Sequence, residues 1–369
     1  MKMKAAVIHE ANQPFQYEEV EIAEPKAGEV LVKISACGVC ATDQAARSQV
    51  FDVPLPAVLG HEGSGVIEKV GPGVTEWKPG DKVGFSFAYC GKCKNCLAGK
   101  PYGCYNFGPF NFGGTLADGT KRISYKGQEV SSFFGQGSYA EYAVVGTNSL
   151  VRVPDGVDEC LVGPMGCGLQ TGAGSVLNVL KPEPDSSIIV TGCGPVGFAA
   201  IMAAKIAGCT TIIACDIVQS RLETAKEFGA THIINSKELP EGKMVHEVAF
   251  EITGGGCDYA VDCTAFGPCI KESLNCLHPL GKCANIGGAM KLDLCAETDL
   301  VRFGRTLIGV TEGYSNSKIF IPQLLNYYKN GQFPFDKMIT FYDFEQIDQA
   351  FADTKAGKVL KAVVKMRKD

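Results

Sequence analysis

Four cysteines, Cys90, Cys93, Cys96 and Cys104, fall in the spacing C-x2-C-x2-C-x7-C, interleaved with glycine and lysine. Four thiolates on so short a loop suit a tetrahedral zinc ion whose every position is filled by protein, a structural site with no room for substrate. Lys92, Lys94 and Lys100 offset part of the negative charge of such a centre. An iron–sulfur cluster is the competing metal, but ferredoxin-type runs place the fourth cysteine sooner and usually before proline. A zinc knuckle for nucleic acid is a further option; it needs a basic surface, and the chain carries a net charge of −5.

A second metal would draw on single residues in glycine-bounded stretches: Cys40 in CGVCATD, His61 in GHEGSG and Cys167 in GPMGCGLQTGAG. Two thiolates and one imidazole form a three-ligand zinc set that leaves the fourth position open for water or an alcohol. Spacing alone does not assemble this trio, because a buried cysteine is usually just a small apolar side chain. Cys37, Cys160, Cys193, Cys209, Cys215, Cys257, Cys263, Cys269, Cys276, Cys283 and Cys295 are read in that plainer way. Histidines are few (His9, His61, His232, His246 and His278), so any imidazole role is filled from that short set.

Gly192-Cys193-Gly194-Pro195-Val196-Gly197 is a G-x-G-x-x-G run between an apolar SIIV stretch and an alanine-rich helical one. In that context the first glycine permits a tight turn, the second lets backbone approach a pyrophosphate, and the third lets helix pack on strand. The free N–H groups of the helix N-terminus then favour the phosphates. Asp216 closes the next apolar run, TIIACD, where a carboxylate accepts from ribose hydroxyls and repels a 2′-phosphate. That favours NAD over NADP, with Arg221 about one helical turn on and able to contact the same ribose. The plain alternative is a glycine-rich turn binding nothing, with Asp216 as a helix cap.

The elements that must carry these residues differ between the two halves. Short β-branched runs such as Val30 to Ser35 predict strands of an irregular, mostly antiparallel domain in the first half. The texture changes around Pro182-Glu183-Pro184. From Ser187, apolar runs alternate with helical stretches, which is the pattern of βαβ units and a parallel, helix-covered sheet. Near Arg305 the alternation loosens, and an amphipathic helix from about Phe344 to Thr354 precedes a terminal strand, Lys361 to Met366. The expected layout is a β-rich domain over 1–168 and 312–369, with a dinucleotide-binding α/β domain over 169–311.

At 369 residues, two domains are expected. Apolar residues at 46% and charged residues at 20% exclude disorder as the default state. The mild charge argues against nucleic-acid and membrane-surface partners, and no apolar run reaches the length of a membrane span. The N-terminus lacks the apolar core of a secretory signal, so a cytoplasmic protein with reduced thiols is expected despite seventeen cysteines.

Over these residues the chain resembles the zinc-containing medium-chain alcohol dehydrogenases from end to end. GHEGSGVIEKVGPGVTEWKPGDKV looks like the family's zinc signature, and the four-cysteine lobe, GCGLQTGAG, GCGPVG and Asp216 follow in the family's order. The resemblance implies a GroES-like catalytic domain beside a doubly wound Rossmann domain. It implies NAD as cofactor and two zinc ions per chain: one structural, on Cys90, Cys93, Cys96 and Cys104, and one catalytic, on Cys40, His61 and Cys167. Glu62 would stand close behind the catalytic metal, Asp43 would orient a ligand, and Lys361 would carry a cation towards the pyrophosphate. Thr42 would take the alcohol proton and pass it to the nicotinamide ribose. GPMGCGLQTGAG with YCGKC is most similar to the aryl (benzyl) alcohol dehydrogenases.

Two positions depart from the family: Ala41 stands where many members carry a basic residue, and Ala45 where many carry the histidine that passes the proton to solvent. The expected reaction is reversible oxidation of a primary aromatic or allylic alcohol to the aldehyde. Phe85, Phe87, Phe107, Phe110, Phe112, Tyr125, Phe133 and Phe134 would supply an aromatic lining, or else simply pack a long loop. Aliphatic alcohols or polyols on the same scaffold are the nearest alternative, and a non-catalytic NAD(H)-binding redox sensor a more distant one. A homodimer or homotetramer is expected.

Overall fold

A computed structural model describes residues 1–288 and 291–366. The chain divides into two compact units, each interrupted once or more by the other. The first comprises Met1–Cys167, Asn316–Asn326 and Phe335 onward; the second comprises Gly168–Ser315 and Tyr327–Pro334. The return of 327–334 to the second unit has no mark in the sequence texture, because the helix Ser317–Lys329 runs through that boundary without a break.

The first unit is β-rich. The strands Lys2–Ile8, Gln16–Ile22, Ile123–Tyr125, Gln128–Ser132 and Ala57–Val58 close a small barrel. A larger sheet runs, in order, Leu150–Arg152, Lys82–Phe85, Gly63–Val70, Glu29–Gly38, Lys361–Lys365 and Ile339–Asp343, with Tyr142–Gly146 also paired to Glu29–Gly38. The VLVKIS run lies inside the central strand of this sheet, and Val30, Val32 and Ile34 are fully buried. Pairing is mostly antiparallel, but Ile339–Asp343 runs parallel to Lys361–Lys365, and Ala57–Val58 parallel to Gln128–Ser132. The amphipathic segment near the C-terminus begins as a tight turn, Phe344–Gln346, and becomes α-helical over Ile347–Lys355. Asp343 and Gln346 form a capping box there, which fixes the entry.

The second unit carries six parallel strands in the order His232–Asn235, Thr211–Asp216, Ser187–Thr191, Cys257–Asp262, Leu277–Asn285, Thr306–Gly309. In chain order this is 3-2-1-4-5-6, the doubly wound Rossmann arrangement. The chain winds outward in both directions from Ser187–Thr191. Right-handed crossovers therefore put the helices of the two halves on opposite faces. The central strands are continuous apolar runs, with Ile188, Ile189, Val190, Ala260 and Val261 fully buried, as a sheet covered on both faces requires. The fold is thus mixed α/β: a β-rich unit and a unit built on a doubly wound, Rossmann-type parallel sheet.

Candidate active site

The first unit builds its principal site at one end of the larger sheet. The strands Glu29–Gly38 and Gly63–Val70 are neighbours, with Cys37 opposite Gly63. Cys40, two residues past one strand, and His61, two residues before the other, therefore emerge side by side. Cys40 also caps the short helix Ala41–Arg47. Cys167 arrives on the turn Gly163–Gly166. Glycines let these segments touch: a Cβ on Gly163 would lie 2.1 Å from the Glu62 carbonyl, and one on Gly166 would lie 1.8 Å from the Phe85 carbonyl.

One ligand atom from each of Cys40, His61, Glu62 and Cys167 falls within 4.8 Å of every other. Zinc bonds of about 2.3 Å to sulfur and 2.0 Å to nitrogen put tetrahedral ligand atoms under about 4 Å apart, so the cluster is of the right size. His61 is buried; its Nδ1 lies 2.9 Å from Asp43 Oδ1, and its Nε2 is a buried ring nitrogen with no hydrogen-bond partner. A buried polar atom with nothing to bond is costly, and a metal ion would satisfy it. Asp43 is itself fixed by the Gly60 N–H at 3.0 Å and by the Tyr139 hydroxyl at 3.3 Å. The donor set and its orienting carboxylate fit zinc.

The electrostatics agree with a cation site. The Cys40 thiol is held well below the usual thiol range by its hydrogen bond with Cys167, with help from His61 and against burial. Burial opposes charge on His61, but the Asp43 carboxylate raises it well above the imidazole range. Glu62 is pushed up to about 8 by burial, partly countered by Lys361. Lys361 Nζ sits 2.5 Å from Glu62 Oε2 and donates to the Val39 carbonyl at 2.9 Å, with both side chains buried. Thr42 is half-buried in the first turn of Ala41–Arg47, beside exposed Ala41 and half-buried Ala45.

Part of the aromatic region gathers here. The Phe134 ring lies 4.7 Å from the His61 ring and Phe133 lies 5.6 Å from it, with Phe112 at 5.5 Å from Phe134. Phe107 continues the group toward Phe87, and Phe51 stacks on Phe112 from outside. Phe134 adopts φ 55, a conformation a bulky side chain enters only under constraint. Tyr125 instead packs on His9, and Phe110 lines a separate cavity of about 370 Å³ with Glu29, Asp118 and Asn148.

The four-cysteine lobe closes as its spacing suggested. Cys90, Cys93, Cys96 and Cys104 hold their sulfurs within 4.8 Å of one another, with Cys93–Cys96 at 3.5 Å and Cys90–Cys96 at 3.9 Å. Tetrahedral zinc–thiolate geometry asks for about 3.8 Å. Backbone N–H groups of Cys93 and Asn106 point at the Cys90 and Cys104 sulfurs. Burial works against a Cys90 thiolate, but backbone N–H donors bring its pKa down to about 6.

In the second unit, Gly192 has φ +91, and a Cβ on Gly197 would lie 2.0 Å from the Gly192 carbonyl. A Cβ on Gly194 would meet no protein atom within 4 Å, so what its absence makes room for is not protein. Pro195 and Val196 open the helix Pro195–Ala207. Asp216 Oδ2 accepts from the Cys193 N–H at 2.7 Å, its Oδ1 from Ile217 and Val218, and Arg221 stands 4.0 Å away. This cradle fits a dinucleotide phosphate with a carboxylate at its ribose end.

Residues 26–155 match the family described as alcohol dehydrogenase GroES-like domain, and residues 195–326 match zinc-binding dehydrogenase. Geraniol dehydrogenase of Castellaniella defragrans is 39% identical over 98% of this chain and 97% of its own. The chain belongs to the zinc-containing medium-chain alcohol dehydrogenase family. Among solved structures of that family, benzyl alcohol dehydrogenase from Acinetobacter calcoaceticus is 42% identical with a TM-score of 0.94, each chain covered in full. An alcohol dehydrogenase zinc-binding domain protein from Burkholderia ambifaria is 43% identical with a TM-score of 0.96, also over the whole of both chains. No helix among the described residues is long and apolar enough to cross a membrane. Tyr139, which reaches Asp43 from 96 residues away, had no sequence signal; Glu62 and Lys361 were both expected in the site, but Lys361 towards the pyrophosphate, whereas here it pairs with Glu62.

Proposed function

We propose that this dehydrogenase oxidises a primary aromatic or allylic alcohol to its aldehyde with NAD. The observation that carries the reading is the Cys40–His61–Cys167 cluster, with His61 buried, its Nε2 unpartnered and aromatic rings against the same imidazole. The benzyl alcohol and geraniol dehydrogenases it resembles are named for an aromatic and an allylic alcohol, which supports that substrate class. When bound, zinc would supply Lewis acidity at this cluster and NAD would supply the hydride acceptor.

The chain's own residues do the rest. Cys40 and Cys167 hold the metal as thiolates that neutralise its charge, and His61 supplies the third bond. Asp43 fixes the imidazole tautomer so that Nε2 faces the metal. Glu62, held by Lys361, stands ready as an exchange ligand. The Thr42 hydroxyl would accept the alcohol proton while releasing its own, which, with Ala45 offering no basic relay, would leave through water. Phe134 and Phe133, both buried in the core, pack against the His61 ring and keep water from that side of the site. Cys90, Cys93, Cys96 and Cys104 bind a second, structural zinc. Gly192, Gly194 and Gly197 with Pro195 and Val196 seat the pyrophosphate, while Asp216 and Arg221 take the adenosine ribose and exclude NADP.

The thiols suit a reducing, cytoplasmic setting. The strand Thr306–Gly309 is a sheet edge, with Val301 and Phe303 exposed in the turn before it. That edge is read as the contact with a second copy of the chain. The test is metal analysis with NAD reduction on one preparation, using benzyl alcohol, geraniol, hexanol and sorbitol. Two zincs per chain with turnover of the first two alcohols supports the reading. Turnover confined to hexanol or sorbitol moves the enzyme to aliphatic or polyol oxidation.

A further inference from the structure

The phosphate loop begins where the strand Ser187–Thr191 ends. In the sheet register Thr191 stands beside Asp262, and Asp262 beside Asn285. Asp262 is fully buried, and the groups that act on its carboxylate are hydroxyls and a backbone N–H from Thr264 and Ser273, not a cation. A buried carboxylate without a basic partner is a poor way to stabilise a sheet; an apolar residue of similar size would do better.

Its bonds indicate another use. Oδ1 accepts from the Thr264 N–H at 3.0 Å and from the Thr264 hydroxyl at 2.9 Å. Oδ2 faces the Ser273 hydroxyl at 3.4 Å, on the helix Gly267–Asn275, and Ser273 Oγ lies 2.8 Å from Thr191 Oγ1. One carboxylate therefore ties together the strand that feeds the phosphate loop, the loop after the adjacent strand, and the helix that follows. Thr264 closes against the glycine loop: its methyl carbon is 3.1 Å from where a Gly192 Cβ would stand. On the other side Ala265 adopts φ 57, with Gly287 packed too closely on it to accept a Cβ. Ala265, Phe266, Gly267 and Pro268 then line a cavity of about 690 Å³ together with Lys271 and Lys291. The strands ending in Thr191 and Asp262 flank the point where the strand order reverses, and open parallel sheets bind dinucleotides there.

We propose that Asp262 is a positioning residue for the dinucleotide, holding the Cys263–Gly267 loop at a fixed distance from Gly192 so that the crevice is formed before the cofactor arrives. The inference rests on the NAD reading above. Asp262→Asn leaves one amide N–H facing donors, and Thr264→Val removes the hydroxyl at constant shape. Each is expected to weaken NADH binding, read by fluorescence titration of the zinc-loaded enzyme, roughly tenfold. The KM for NAD should rise in step, while kcat at saturating NAD and zinc content stay near wild type. Thr264→Ser, which keeps the hydroxyl, should restore affinity. A purely structural carboxylate would lower Tm with NADH affinity unchanged, and that result in either variant overturns the proposal. If Asp262→Asn does not fold, Thr264→Val decides it. Wild-type protein that fails to bind NADH would overturn the cofactor reading itself and this inference with it.

Discussion

Asp43 shows how much one side chain in the site depends on its neighbours. It accepts from Gly60, Tyr139 and the His61 ring, so the carboxylate that orients the imidazole is itself held by two further bonds. Thr42, next to it, is proposed to act chemically, as the acceptor of the alcohol proton. Thr42→Ala should cut kcat by about a hundredfold or more, the scale of losing a positioned proton acceptor, with zinc content unchanged. Thr42→Ser should cost far less. Equal turnover in both variants, measured under NAD and alcohol saturation, would remove Thr42 from the proton path. At this scale the sequence was readable for residue type but not for company. Cys40, His61 and Cys167 could be named as candidates from their glycine surroundings. What joins them is the register of two strands and a turn arriving from far along the chain, which no local spacing encodes.

The four-cysteine lobe is the opposite case. Its ligands lie within fifteen positions, so spacing alone set the geometry, and the sulfur separations match. The first half of the lobe is the weakly held part: its short helix Lys94–Leu97 buries no residue, while Pro101 and Cys104 in the second half are buried. Metal loss should therefore unfold the lobe first. Cys96→Ser is expected to drop zinc content by one ion per chain and to expose the lobe to protease cleavage between Cys90 and Cys104. Protection equal to wild type in the metal-depleted protein would count against a structural zinc. The G-x-G-x-x-G loop was legible for a similar reason, since Gly197 must pack on the Gly192 carbonyl five residues before it and Gly192 itself takes a positive φ of +91. The network around Asp262 was not, because its members come from three segments, one of them Thr191 about seventy residues earlier.

For the molecule as a whole, the βαβ alternation in the sequence gave away the parallel sheet, and its 3-2-1-4-5-6 order follows the doubly wound pattern. The interleaving of the two units was only half visible, since the crossing within Ser317–Lys329 carries no change of composition. The open edge at Thr306–Gly309 bears on assembly. Replacing Val301 and Phe303 together by aspartate should shift the mass measured by light scattering towards a single chain, because two carboxylates would have to be buried on pairing. An unchanged mass would place the contact elsewhere.

The last strand of the first unit, Lys361–Lys365, docks against Ala36–Gly38 and delivers Lys361 to Glu62 from almost the far end of the chain. A ribosome adding roughly 5–20 residues per second makes Cys40, His61 and Glu62 many seconds before the lysine that neutralises Glu62. The Glu62–Lys361 pair therefore cannot close until about three hundred further residues have been made, and the chain around Glu62 has to wait for that strand to complete its surroundings.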